Sequence, residues 1–358
     1  MLSMNNNGIN SELNNNTDVF SLISRHRSEI MGFAALWIIF FHVWEPVFGN
    51  ISGLSFAEAF IKRIGFCGVD IFFFLSGIGM VFAIEKSTLP VFYYRRIKRL
   101  ILPFLLVGIL RVFTNNWSIV KFFKAVSGYS FYFSNIYTLL WFVPAIITFY
   151  LLFPLYYRLM KKSGNAVIFT FTVIELWLLF SVKANGIMRR DLFGFTNRIP
   201  VFLIGILFAC VSKNHKIIWD KSTAVLSAVT LALGAYLAYL TNFADMFLIV
   251  QSSNSFLPNL LMTLALCPLL AFIFDKCAFM GKIFKFFGLF TLEFYCIQEW
   301  LAEQIMKPLT NTMPLIAANI VFILITTALA YIIYICNNFI WKQADKLVLH
   351  SAKQQRNA

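Results

Sequence analysis

His42 lies deep in the apolar run Ile30 to Trp44, in a chain with only four histidines. A charged side chain at the centre of a membrane-spanning helix costs roughly 2.5–3.5 kcal/mol. Such groups persist mostly where they face a polar cavity, a partner or a substrate path. The next apolar segment supplies an acid, Asp70, within Gly68-Val69-Asp70-Ile71-Phe72-Phe73-Phe74-Leu75-Ser76-Gly77. A His and an Asp in neighbouring helices point to proton chemistry inside a membrane. The plainer readings are a helix-packing hydrogen bond for His42 and, for Asp70, a partner for a helix end or for Arg63. Further ionisable residues fall in apolar surroundings: Arg111, Glu175 and Glu293, the last five residues before Gln298. Glu293 and Gln298 are expected to line one cavity, and Glu175 or Glu293 to pair with Arg111.

The elements that position these residues follow from composition. The chain is 59% hydrophobic, 18% aromatic and 13% charged, against about 25% charged residues in soluble domains. That excludes an ordinary soluble enzyme. A net charge of +14 is read as membrane topology and not as nucleic-acid binding, because the basic residues sit between apolar spans. The six cysteines form no CxxC pair, so neither a disulfide framework nor a metal site is expected. His26, His215 and His350 read as surface residues. Residues 1–24 are rich in Asn and Ser without an apolar core, as in a disordered tail and unlike a cleaved signal peptide.

A spanning helix needs about 20 mainly apolar residues. The predicted fold is all-α, a polytopic bundle of about ten transmembrane helices: 28–48, 64–84, 98–115, 139–158, 166–182, 198–212, 222–242, 257–275, 284–303 and 314–340. With a cytoplasmic N-terminus, 20 Lys and Arg fall inside and nine outside. Both termini are therefore expected in the cytoplasm. His42 then lies about 21 Å along its helix and Asp70 about 9 Å into the returning one. In a core of about 30 Å the two reach similar depth. The expected organisation is a tail over 1–24, a membrane domain over 25–341 and a basic tail over 342–358.

The motifs resemble those of the membrane-bound acyltransferase-3 family. Gly32-Phe33-Ala34-Ala35-Leu36 leading to His42 is similar to its first-helix signature. Gly65 through Gly77 closely matches its second, and is the specific one. Tyr94-Arg95-Arg96-Ile97-Lys98-Arg99-Leu100-Ile101-Leu102-Pro103 resembles the basic motif before its third helix. Trp141-Phe142-Val143 with Tyr150 and Pro154, Arg198-Ile199-Pro200 through Gly205, and Gly288 through Gln298 follow in order. The resemblance covers roughly residues 25–340.

The resemblance implies an integral membrane acyltransferase. The donor would be cytoplasmic acyl-CoA, commonly acetyl-CoA, and the acceptor a hydroxyl of a surface or lipid-linked carbohydrate. It assigns the catalytic histidine to His42 and the second-helix acid to Asp70. Arg96 and Arg99 are placed toward CoA, whose phosphates suit arginine forks. The plainer reading of the cluster is a topogenic anchor at anionic lipid headgroups. Arg198, Glu293 and Gln298 are the candidates on the acceptor side. Two positions depart from the pattern: Met31 stands where the family usually has arginine, and Gln298 where it usually has histidine. Gln hydrogen-bonds but carries no proton at neutral pH, so a variant subgroup is implied.

A sugar hydroxyl is a poor nucleophile, and an imidazole of ordinary pKa near 6.5 suits its activation. A carboxylate on the other ring nitrogen fixes the tautomer and stabilises the imidazolium. The same ring is equally suited to accept the acyl group transiently; the sequence leaves both roles open. The expected setting is the plasma (inner) membrane, with membrane lipids, and a second copy in a homo-oligomer, among the partners. Two rival readings stand beside this one. One is a glycan or lipid transporter or flippase, which intramembrane charges and ten spans also fit. The other is a catalytically impaired relative.

Overall fold

Long apolar segments in lipid must satisfy their own backbone N–H and C=O groups, and coiling into helices does this within one segment. The computed structural model describes residues 17–49, 51–134 and 140–357, and they are helical almost throughout. In chain order the helices are α1 (Val19–Arg25), α2 (Arg27–Val43), α3 (Ser52–Ile64), α4 (Cys67–Glu85), α5 (Leu89–Thr114), α6 (Ile119–Val126), α7 (Tyr129–Phe133) and α8 (Phe142–Lys162). They continue as α9 (Ala166–Ala184), α10 (Arg190–Thr196), α11 (Ile199–Val211), α12 (Lys221–Phe243), α13 (Phe256–Lys276), α14 (Ala278–Gly288), α15 (Thr291–Thr312) and α16 (Leu315–Asn357).

Among the described residues, seven stretches are long and apolar enough to cross a membrane: Ser52–Glu85, Phe142–Lys162, Ala166–Ala184, Leu192–Val211, Lys221–Phe243, Gln251–Lys276 and Leu315–Asp345. The protein is an all-α, multi-pass membrane protein. The expected count of ten is not reached on this measure. The three remaining expected spans correspond to α2, α5 and α14–α15. Helix α2 has only 17 residues, α5 carries the basic cluster, and α15 carries Glu293, Gln298, Glu299 and Glu303. Helix α2 falls short in length, and α5 and α15 in hydropathy because of their charged and polar residues.

Of the expected tail 1–24, residues 1–16 lie outside the described residues. From Val19 the chain forms α1, whose N-terminus is capped by Asp18 accepting from the Ser21 amide at 3.0 Å. Val19, Leu22 and Ile23 are buried, so apolar burial draws this stretch into the fold. At the other end α16 continues into the expected basic tail.

The chain divides into two compact units. The first comprises the residues up to Phe41, Ala59–Lys86 and Leu152–Leu289. Its core is the crossing of α4 with α11. A Cβ on Gly77 would collide with the Phe202 carbonyl oxygen, and one on Gly205 with that of Phe74. Two helix backbones meet here with no side chain between them, the small-residue packing that lets membrane helices associate. Helix α13 packs on α1, α4 and α12 in the same unit.

The second unit comprises His42–Glu58, Ser87–Leu151 and the chain from Phe290 on. Helix α15 packs against α5 and α16. Polar pairs tie these helices together: Lys98 with Asp345 at 3.0 Å, Trp300 Nε1 donating to Thr114 Oγ1 at 3.1 Å, and Asn337 Nδ2 donating to Glu293 Oε1 at 3.1 Å.

Candidate functional site

His42 occupies the last turn of α2, which ends at Val43. The chain just beyond it is held by polar side chains of the second unit. Asn319 Oδ1 accepts from the Glu45 amide at 3.0 Å, and its Nδ2 donates to the Glu45 carbonyl at 2.8 Å. The buried Glu58 carboxylate accepts from Trp44 Nε1 at 2.7 Å and from the amides of Val47 and Phe48 at 2.9–3.0 Å. Backbone groups that leave a helix need partners when they are buried. Glu58 and Asn319 supply them, and so fix where the histidine sits.

Nδ1 of His42 faces two residues of α15. Gln298 Nε2 lies 3.2 Å away and Glu299 Oε1 3.7 Å away. The ring nitrogen thus has an amide and a carboxylate within reach. One donates to it, and the other accepts from it when it carries a proton. Both His42 and Glu299 keep about a quarter of their side chains exposed, 22% and 29%, whereas Gln298 is fully buried. One turn along α15, Glu303 forms a two-pronged pair with Arg111 of α5, at 2.9 and 3.0 Å. The Glu299 carboxylate interacts electrostatically with both Arg111 and Glu303.

Asp70 has other partners. It stands in the first turn of α4, fully buried in the first unit. Its Oδ2 accepts from Asn259 Nδ2 at 2.9 Å and pairs with Arg198 Nη2 at 3.2 Å. Arg198, also buried, donates Nη1 to the Gly194 carbonyl at 2.9 Å and lies over the Phe66 ring. A carboxylate near a helix N-terminus is favoured by the helix dipole, and Arg198 neutralises its charge. The partner of Asp70 is therefore Arg198, where Arg63 was the expected alternative; Arg63 bonds to Asn242 at 3.2 Å. Arg198, expected on the acceptor side, is engaged by this acid.

The remaining expected residues separate. The Arg96 guanidinium lies between the rings of Phe92 and Tyr150, 5.8 and 5.9 Å from their centroids. Arg99 is exposed and interacts electrostatically with Glu293. Glu293 is buried and bonded to α16 through Asn337. Five residues separate it from Gln298, a turn of about 140° around the helix. Gln298 therefore reaches His42, while Glu293 bonds to α16. Arg111 pairs with Glu303 and not with Glu175 or Glu293.

Sequence reasoning missed Glu299, Glu58 and Asn319. Glu299 had a local signal, since it directly follows Gln298 and stands one turn before Glu303. Glu58 and Asn319 had none, because their partners are backbone groups and, for Glu58, one indole N–H.

The family model for the acyltransferase domain matches residues 32–335. No curated protein and no solved structure matches the chain. The family match covers α4 and α11, the His42 turn and the Glu299 helix together. The chain belongs to the acyltransferase-3 family.

Proposed function

We propose that this acyltransferase moves an acyl group, acetyl in our reading, from cytoplasmic acyl-CoA to a hydroxyl of a surface or lipid-linked carbohydrate. The membrane is the plasma membrane, with both termini on the cytoplasmic side. The observation that carries the reading is the histidine at the end of α2 with an amide and a carboxylate at one ring nitrogen.

His42 acts as the general base. As the base, His42 carries its neutral-ring proton on Nδ1, facing Glu299 and the Gln298 side-chain amide turned to present its oxygen, so the proton from the acceptor hydroxyl goes to Nε2. The alkoxide oxygen attacks the thioester carbonyl, the C–S bond breaks, and the imidazolium returns the proton to the CoA thiolate. The products are the ester and free CoA, with no other reactant. Glu299 stabilises the imidazolium formed midway, as the carboxylate of an acyl-transfer triad does. A neutral acyl-imidazole would instead turn a lone pair at Nδ1 toward that carboxylate, which favours base over acyl carrier. Gln298, where the family resemblance implies histidine, holds the ring without exchanging a proton. Arg99 and Arg96 supply positive charge for the donor phosphates.

The test is mass spectrometry of surface and lipid-linked glycans from cells with and without the chain. The reading requires acyl esters that appear only with it. Identical glycan profiles, with the protein correctly inserted, contradict it.

A further inference from the structure

Helix α9 buries one narrow face, Thr170, Ile174, Trp177 and Ser181. The rest of the protein covers 17% of its apolar span, against 72% for Ser52–Glu85 and 11% for Lys221–Phe243. At the centre of the uncovered face stands Glu175. It lies nine residues from either end of α9, about 13.5 Å at 1.5 Å per residue, and so at the midplane of a core about 30 Å thick. Phe171, Leu176 and Leu179 around it are exposed. Among the described residues the Glu175 side chain makes no hydrogen bond and no ion pair. Hydrocarbon offers it no donor, and membrane proteins turn such groups inward or pair them.

We propose that α9 is the contact between two copies of this chain, with Glu175 at its centre. Thr172 lies one turn before it on the same exposed face. A two-fold axis along the membrane normal sets two α9 helices parallel, with each residue near the axis facing its own copy. Each Thr172 hydroxyl can then donate to the partner subunit's Glu175, so the surface is self-complementary. Arg198 and Arg111 are engaged by Asp70 and Glu303, so the proposed contact is built on hydrogen bonds and not on a salt bridge. This inference does not rest on the acyl-transfer reading.

The experiment uses the full chain, labelled at its C-terminus with donor or acceptor fluorophores. It is reconstituted into phosphatidylethanolamine–phosphatidylglycerol vesicles over a range of protein-to-lipid ratios. Energy transfer should show dimers for the wild type and for Glu175→Gln, whose amide still accepts from a hydroxyl. Glu175→Leu should need a protein-to-lipid ratio higher by on the order of tenfold. Leucine suits a lipid-facing helix, and helical content by circular dichroism checks that the variant is folded. A monomeric wild type, or a Leu variant that associates as well as the wild type, overturns the proposal. So does loss of association in Glu175→Gln, which would mean that a cationic partner is required.

Discussion

Glu299 brings its Oε1 to 3.7 Å from Nδ1 of His42, so the ring nitrogen turned away from the proposed proton transfer faces a carboxylate. If that carboxylate orients the ring and stabilises the imidazolium, Glu299→Gln keeps the shape and removes the charge. Acyl transfer in reconstituted vesicles should fall about 10²- to 10⁴-fold, the range for losing positioned acid–base catalysis. Acetyl-CoA binding, measured by calorimetry, should not change. Transfer within twofold of wild type would remove Glu299 from the mechanism.

The buried pair of Asp70 and Arg198 makes a different prediction. Asp70→Ala leaves a guanidinium buried without its counter-charge, which typically costs 3–5 kcal/mol. The variant should unfold in detergent at clearly lower temperature and lose activity along with its fold. Pairing it with Arg198→Met should recover much of the stability. A folded, stable Asp70→Ala protein that is inactive would instead assign Asp70 a direct role in the chemistry.

Much of the fold was legible because bulk hydropathy is a property of segments. Apolar runs of about 20 residues, punctuated by basic loops, specify helices in lipid whatever their neighbours are. What was not legible is rotation about each helix axis. Arg111 could have met Glu175, Glu293 or Glu303, and only packing of α5 on α15 selects Glu303. Asp70 and His42 fall at similar depth on paper. The partners seen here are Arg198 and Asn259 for one, Gln298 and Glu299 for the other. The apolar signal also weakens where polar residues gather, so α5 and α15 read least clearly as spans, while α2 falls short in length alone. The pairing of Glu58 with backbone amides leaves no trace in residue patterning.

That pairing is testable. Glu58→Ala strips acceptors from the Trp44 indole and from the Val47 and Phe48 amides. The turn after His42 should loosen, lowering kcat about tenfold or more, since small misplacements of reacting groups are costly. Acetyl-CoA affinity should hold. Glu58→Gln, which keeps one acceptor oxygen, should be milder. Equal rates for Ala and wild type would show that the turn does not set the histidine's position.

Donor binding is the task proposed for the basic cluster on α5. Arg99→Gln should weaken acetyl-CoA binding about 10- to 100-fold at fixed salt, as expected for one lost charge-assisted phosphate contact. Lysine should rescue only part of it, because a point charge does not reproduce the fork. Met31→Arg in the Arg99→Gln background should restore some affinity. Calorimetry with unchanged affinity in both Arg96→Gln and Arg99→Gln would leave the cluster as a topology signal.

The central claim is that His42 carries the proton in acyl transfer. The direct measurement compares surface and lipid-linked glycans, by mass spectrometry, from cells making equal amounts of inserted wild type or His42→Ala. The account predicts acyl esters with the wild type and none above background with the variant, whose acetyl-CoA affinity stays the same. Ester levels near wild type in the His42→Ala cells would contradict it.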